Sequence, residues 1–114
     1  MPEVDAAKLL GLLGLARRAG KLAVGATAVE ALIKSGRPPW VIIARDAGAS
    51  QRRKLARLAP VRGVLDDAVD REALATALGR GELIVVAVSD LGFVRGIERL
   101  IGQAGGREEE GGAR

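Results

Sequence analysis

The stretch LIVVAV, residues 83–88, decides the fold. Six consecutive apolar residues, three of them valine, are typical of a short strand that is covered on both faces. The stretch WVIIA, residues 40–44, has the same character and is followed by the turn residues DAGAS. We therefore expect these two strands to form the centre of a sheet.

Helical patterns surround the two strands. Apolar spacing and end signals predict five helices, at residues 5–18, 27–35, 50–58, 70–79 and 90–103. Two weaker extended runs lie at 22–25 and 61–65, and the first is the predicted edge strand. Because strands alternate with helices, the sequence predicts an α/β protein: a three-layer α-β-α sandwich around a small mixed four-stranded sheet.

The helix ends carry capping signals. Asp5, Ser50 and Asp70 are predicted N-caps. Thr27 and Glu30 have the spacing of a capping box, in which the hydroxyl and the carboxylate each bind a free amide. We therefore expect the second helix to begin at about Thr27.

Length and composition indicate one domain. The 114 residues suffice for a single core, which we assign to residues 1–103. Residues 104–114 are rich in glycine and charge, and predict a disordered tail. No apolar run approaches the roughly 20 residues of a membrane span, and the N-terminus lacks the pattern of a signal peptide. We expect a cytoplasmic protein without membrane contact.

Two residue types with versatile chemistry are absent. The chain has no Cys and no His, which excludes disulfides, thiol nucleophiles and imidazole acid–base catalysis. Asp46 lacks the acidic partners of a phospho-acceptor, and the acidic group Asp66, Asp67 and Asp70 does not have the spacing of a calcium loop. No glycine-rich nucleotide motif occurs. We expect no enzyme activity, no cofactor, no bound metal and no small-molecule substrate.

Charge suggests a different kind of partner. The chain has 18 basic and 14 acidic residues, a net charge of +4, and a pI near 10.3. Such a pI is typical of proteins that bind a polyanion, although a solubilising surface explains the charge equally well. The densest basic run, QRRKLAR at 51–57, predicts a helix with a basic exposed face.

A glycine-led loop opens the second helix. In RRAGKLAVGATAVEALIKSG, residues 17–36, Gly25 precedes the helix, and Arg17, Arg18 and Lys21 lie upstream. Amides at a helix N-terminus attract phosphate, and glycine permits another backbone to approach closely. The pattern predicts that the amides of residues 25–28 and these cations bind a phosphate backbone. The alternative is an ordinary turn with solvated charges.

The stretch GRGE, residues 79–82, is a second candidate loop, just ahead of the LIVVAV strand. Arg80 is its candidate phosphate or base contact. A helix C-cap followed by a turn is the alternative interpretation.

Several blocks, taken in order, resemble a known family. LGLARRAGKLAVG with AVEALIKSG, then VIIARDA, then LGRGELIVVAVSD are similar to the L7Ae/L30e ribosomal-protein superfamily, in particular its short bacterial YlxQ-type branch. The resemblance covers roughly residues 9–101. It implies the α-β-α sandwich and RNA binding without catalysis, commonly at kink-turns in ribosomal and other structured RNAs.

The resemblance also implies where RNA binds. The family uses the loop entering the second helix and the loop ahead of the last strand. The implied RNA-binding residues are Arg18, Lys21, Gly25, Ala26, Thr27, Ala28, Ala31, Gly79, Arg80 and Gly81.

This sequence departs from the family pattern at the base-reading positions. Archaeal members read Gly-Thr-Asn-Glu, with a lysine three positions after the Glu. Their Asn, Glu and Lys contact guanines of tandem sheared G·A pairs. Thr27, Ala28 and Ala31 occupy these positions here, and the alanines have no group for such a contact. The departure implies binding to the RNA backbone without strong kink-turn selectivity.

The function that the sequence predicts is RNA binding by a monomer, with ribosomal or other structured RNA, and the ribosome itself, as partners. Two alternatives stay open. The first is a protein–protein adaptor on the same fold, with weak or no specific RNA binding. The second is the RNA-recruiting module of an enzyme such as a methyltransferase.

Overall fold

The chain folds into alternating helices and strands. Its computed structural model describes residues 4–57, 60–79 and 81–113, with side chains in these ranges except at residue 56 and at 103–113. Within them the elements are α1 (Ala6–Arg18), β1 (Leu22–Val24), α2 (Ala26–Lys34), β2 (Trp40–Ile43), α3 (Ala49–Ala56), β3 (Gly63–Leu65), α4 (Arg71–Leu78), β4 (Val85–Val88) and α5 (Leu91–Ala113). The predicted α/β class is confirmed.

The four strands form one mixed sheet in the order β1-β4-β2-β3. Strand β4 pairs antiparallel with both β1 and β2, whereas β2 pairs parallel with β3. Every residue of β4 is buried, and so are all residues of β2 except Trp40. The two apolar stretches therefore form the centre of the sheet, and β1 lies at an edge, as predicted.

The two faces of the sheet are covered by different helices. Successive side chains of a strand point to opposite faces. Ile42 and Val86 join one buried cluster with residues of α1, α4 and α5. Val41 and Val85 join another with residues of α2 and α3. The predicted three-layer sandwich is therefore confirmed, with three helices on one face and two on the other.

The caps predicted at two helices are present. The Asp5 carboxylate accepts a hydrogen bond from the Lys8 amide at 3.1 Å, and Asp70 accepts one from the Ala73 amide at 2.8 Å. Gly79 closes α4 in the left-handed conformation, with φ of 68°. These ends depend on side chains within four residues, which is why the sequence reveals them.

The predicted starts of α2 and α3 are wrong. Helix α2 begins at Ala26 after Gly25, without a side-chain cap, so Thr27 and Glu30 form no capping box. Helix α3 likewise begins at Ala49 after Gly48, and Ser50 is not its N-cap. The reason at α2 is tertiary: the Gly25 amide binds the Val85 carbonyl at 3.0 Å, which fixes the start of the helix before Thr27.

Helix α5 is longer than predicted. Its backbone is helical through Ala113, whereas the sequence predicts an end at about Gln103 and a disordered tail at 104–114. The segment REEE at 107–110 consists of good helix formers, which accounts for the difference. The division of the chain into a domain at 1–103 and a separate tail stays a prediction.

Trp40 connects the outer strand β3 to helix α5. Its indole ring lies against the backbone of Gly63, its partner in the β2–β3 pairing. The indole Nε1–H donates to the Glu98 carboxylate at 2.9 Å, and the same oxygen accepts from Arg62 Nε at 2.9 Å. The hydrogen bond from Trp40, and after it the one from Arg62, lowers the pKa of Glu98 below its usual value, because both stabilise the carboxylate.

The contact between Trp40 and Gly63 leads to a stability prediction. Gly63→Ala would place a Cβ 2.4 Å from a ring carbon of Trp40, and moving the indole should cost about 1–3 kcal/mol of unfolding free energy. Urea unfolding followed by Trp40 fluorescence measures this cost. Gly11→Ala is the matched control, because nothing lies within 4 Å of that exposed helical position, and it should stabilise by about 0.5–1 kcal/mol. Equal effects of the two substitutions would refute the contact.

Candidate functional site

The register of the sheet brings the two predicted loops together. Gly25 follows β1, and its amide donates to the carbonyl of Val85, the first residue of β4, at 3.0 Å. The segment 79–84, all but Arg80 of which is described, leads directly into Val85. The end of this segment therefore lies beside the start of α2, as the resemblance implies. The predicted contact residue Arg80 lies outside the described residues.

The other end of the segment 79–84 lies against α1. The guanidinium of Arg17 donates a hydrogen bond to the carbonyl of Leu78, the last residue of α4. A Cβ built at Gly79 would lie 3.6 Å from the same Arg17 nitrogen. The segment therefore extends from the end of α1 to the beginning of α2, and joins the two regions in which the sequence predicts RNA contacts.

The N-terminus of α2 presents three free amides. Among the described residues, the backbone N–H groups of Ala26, Thr27 and Ala28 have no hydrogen-bond acceptor, and no side chain caps the helix. Ala26 and Thr27 are exposed and Ala28 is half-buried. The sequence predicts four phosphate-binding amides at 25–28, but the Gly25 amide is used by the sheet. Three amides at the positive end of a helix still form an anion-attracting surface.

The side chains around these amides are small. Thr27 and Ala31 are exposed, Ala28 is half-buried, and of the three only Thr27 has a hydrogen-bonding group. The next acidic side chain, Glu30, is half-buried and caps nothing. The surface at the start of α2 is therefore built from backbone and one hydroxyl rather than from charged side chains.

Of the three cations predicted upstream of Gly25, Arg18 and Lys21 lie in different places. Arg18 is exposed at the end of α1, and none of the described acidic groups pairs with it. Lys21 precedes β1, and its Nζ lies 4.0 Å from a carboxylate oxygen of Asp90. Because Leu22 pairs with Val88, Lys21 lies at the end of β1 away from Gly25, about 13 Å along the strand. The structure does not bring Lys21 to the amides of α2.

The basic run at 51–57 contains one arginine with structural partners, Arg52, and others that are exposed to solvent. Arg52 donates to the Arg45 carbonyl at 2.6 Å and to the Asp66 carboxylate at 3.1 Å, so it ties α3 to the ends of β2 and β3. Arg53 and Arg57 are exposed and belong to no ion pair in the described part of the chain. The prediction of a basic exposed face therefore holds for only part of the run.

The acidic residues have structural partners. Asp46 accepts a hydrogen bond from the Arg71 amide at 2.9 Å, and this bond is the main cause of its lowered pKa. Asp66 pairs with Arg52 at 3.1 Å, and Asp70 pairs with Arg45 at 3.5 Å. Within the described ranges no group of three acidic residues is placed to hold a metal ion.

The comparisons with known proteins agree with this geometry. Residues 7–95 match the model of the ribosomal protein L7Ae/L30e/S12e/Gadd45 family. The chain belongs to this family.

Two solved structures illustrate how this member of the family compares with others. A protein of unknown function from Bacillus halodurans C has 36% sequence identity, with 83% of this chain and 97% of that chain covered and a TM-score of 0.73. The Giardia lamblia 15.5kD RNA binding protein has 19% identity, covers 91% and 92% of the two chains, and has a TM-score of 0.67. The second likeness shows the fold alone.

No protein with a curated description matches the chain. In the described ranges, no helix is both long enough and apolar enough to cross a membrane.

Gly25 itself gives a test of the site's backbone. Its φ of 92° and ψ of 161° belong to a region that only glycine adopts readily, so Gly25→Ala should destabilise the protein by about 1–3 kcal/mol although nothing lies within 4 Å. Urea unfolding measures the loss. Gly81→Ala is the control, because Gly81 has no positive φ and open space around it. A loss at Gly25 no larger than at Gly81 would contradict the described turn.

Proposed function

We propose that this family member is a non-catalytic, monomeric, cytoplasmic protein that binds structured RNA of ribosomal or kink-turn-like shape. The observation that carries the proposal is the set of free amides at Ala26, Thr27 and Ala28, beside the loop 79–84. These amides lie where the family resemblance implies RNA contact. The Giardia lamblia relative of the same fold is an RNA-binding protein, which supports the proposal.

The chemistry of the surface favours the RNA backbone over the bases. Backbone amides and the Arg18 guanidinium bind phosphate oxygens, which are the same in every nucleotide. Sequence-selective contacts require paired donors and acceptors on side chains, and Ala28 and Ala31 have none. We therefore propose that the protein selects RNA by its bent shape, with the helix N-terminus against the folded backbone.

The salt dependence of binding tests this proposal. Arg18→Ala should weaken binding to a kink-turn RNA about tenfold, because a charged hydrogen bond is lost. It should also lower the slope of log affinity against log salt by about 0.7–0.9, the contribution of one phosphate contact. Filter binding in potassium chloride at about 50–300 mM measures both the affinity and the slope. Lys34→Ala is the matched control. It removes one positive charge from the far end of α2 and should change neither the affinity nor the slope.

The wild-type protein should also prefer the kink-turn RNA to a plain duplex of equal length. Equal affinity for the two RNAs, or a loss on Lys34→Ala as large as on Arg18→Ala, would refute the proposed site. Failure to bind either RNA would instead favour the protein–protein adaptor, which the alanines at the base-reading positions also suit.

Introducing the family's base-reading side chains tests the proposed lack of selectivity for bases. The triple variant Thr27→Asn, Ala28→Glu, Ala31→Lys should gain about 1–3 kcal/mol of discrimination for each bidentate base contact formed. The gain should appear with a kink-turn RNA and vanish when its G·A pairs are replaced by Watson–Crick pairs. The same discrimination in the wild-type protein would show that Thr27 and the loop already read bases.

A further inference from the structure

Arg17 and Arg18 are consecutive, exposed residues that differ in their hydrogen-bond partners. Both are in the last turn of α1, and both are predicted to attract the same phosphate. Arg18 is exposed and belongs to no ion pair among the described residues. The Arg17 guanidinium instead donates to the Leu78 carbonyl, 61 residues along the chain. Arg17 therefore has a structural partner, whereas Arg18 is available to a ligand.

The Leu78 carbonyl is a position where the backbone needs a partner. The last carbonyls of a helix have no amide of the same helix to accept from, and basic side chains are favourable there. At the end of α4, Gly79 turns the chain into the left-handed conformation, and its own amide binds the Ala75 carbonyl. Arg17 supplies the donor for Leu78, and so fixes the point from which the segment 79–84 departs.

The far end of this segment is fixed by the sheet. The Ala44 amide donates to the Ile84 carbonyl at 2.8 Å, and the Gly25 amide donates to the Val85 carbonyl at 3.0 Å. The beginning of the segment, at Leu78 and Gly79, is held by Arg17 of α1. Among the described residues, it is the side chain from another element that forms a hydrogen bond there. Helices α1 and α4 also share one buried apolar cluster, to which Leu13 and Leu74 belong, and this packing does not depend on Arg17.

We propose that Arg17 is a positioning residue for RNA binding: it holds the start of the loop 79–84 against α1, so that the loop and the α2 amides face one RNA strand together. This inference rests on the proposed function, and Arg17 acts through Leu78 and Gly79 rather than by touching RNA. Its partner Arg18 makes the phosphate contact. Two neighbouring residues of equal charge thus give different mutational signatures.

The first experiment needs no RNA. Hydrogen exchange of the Gly79 amide, followed by NMR in the full-length protein, should become about tenfold faster in Arg17→Ala, because the last turn of α4 loses its charged hydrogen bond. Arg18→Ala should leave this rate unchanged. The Val29 amide, which binds the Gly25 carbonyl at 3.0 Å, reports on the rest of the fold and should exchange at the wild-type rate in both variants.

The second experiment compares salt dependence in the same two variants with a kink-turn RNA. Arg17→Ala should weaken binding about tenfold and lower the salt slope by less than Arg18→Ala does, because Arg17 itself contacts no phosphate and acts only through the loop. Arg18→Ala should weaken binding and lower the slope by about 0.7–0.9. A merely structural arginine would lower the unfolding temperature without changing the affinity of the folded protein.

The outcomes separate the two hypotheses. An unchanged exchange rate of the Gly79 amide in Arg17→Ala would show that the hydrogen bond from Arg17 to Leu78 does not hold the end of α4. Faster exchange with unchanged RNA affinity, or a slope that falls as much as in Arg18→Ala, would overturn the positioning role. If the wild-type protein binds no RNA, the proposed function fails, and the RNA role of Arg17 fails with it. The exchange result still decides whether Arg17 holds the end of α4.

Discussion

The hydrogen bond from the Gly25 amide to the Val85 carbonyl joins the sheet to the helix that follows it. It continues the β1–β4 ladder by one residue, and Gly25 then turns at a φ of 92° into α2. This turn leaves the next three amides without partners at an exposed helix end. It also places them beside the chain that enters β4. The geometry of the candidate site therefore depends on the pairing of an edge strand with the most buried strand of the protein.

The electrostatics of the molecule differ from what its composition suggests. A net charge of +4 invites the interpretation that all exposed cations serve one anion. In the structure, Arg52 binds backbone and Asp66, Arg17 binds the end of α4, and Lys21 lies beside Asp90. Arg18, in contrast, is exposed and belongs to no ion pair among the described residues. Basic residues in this fold first satisfy carbonyls and carboxylates at the ends of helices and strands, and only the remainder is available to a ligand.

The central features of the fold could be predicted because they depend on local patterns. The runs at 40–44 and 83–88 are apolar on both faces, and this alone places them at the centre of the sheet. Asp5 and Asp70 cap helices through amides three residues away. The start of α2 escaped prediction because Thr27 has a good local signal that a nonlocal hydrogen bond overrides. The roles of Arg17 and Lys21 escaped it for the same reason: their partners lie more than 60 residues away.

A binding surface made of backbone amides places its specificity in geometry rather than in side-chain identity. The amide of Ala26 would donate to a phosphate equally well from any other residue except proline. Substitution of an exposed alanine here therefore matters less than any change that moves the turn at Gly25 or the start of the loop at Gly79. The residues that determine such a site are those that fix backbone positions, and a search for charged or reactive side chains overlooks them. In this chain we propose that they are Gly25, which has a positive φ, and Arg17, whose guanidinium donates to the Leu78 carbonyl.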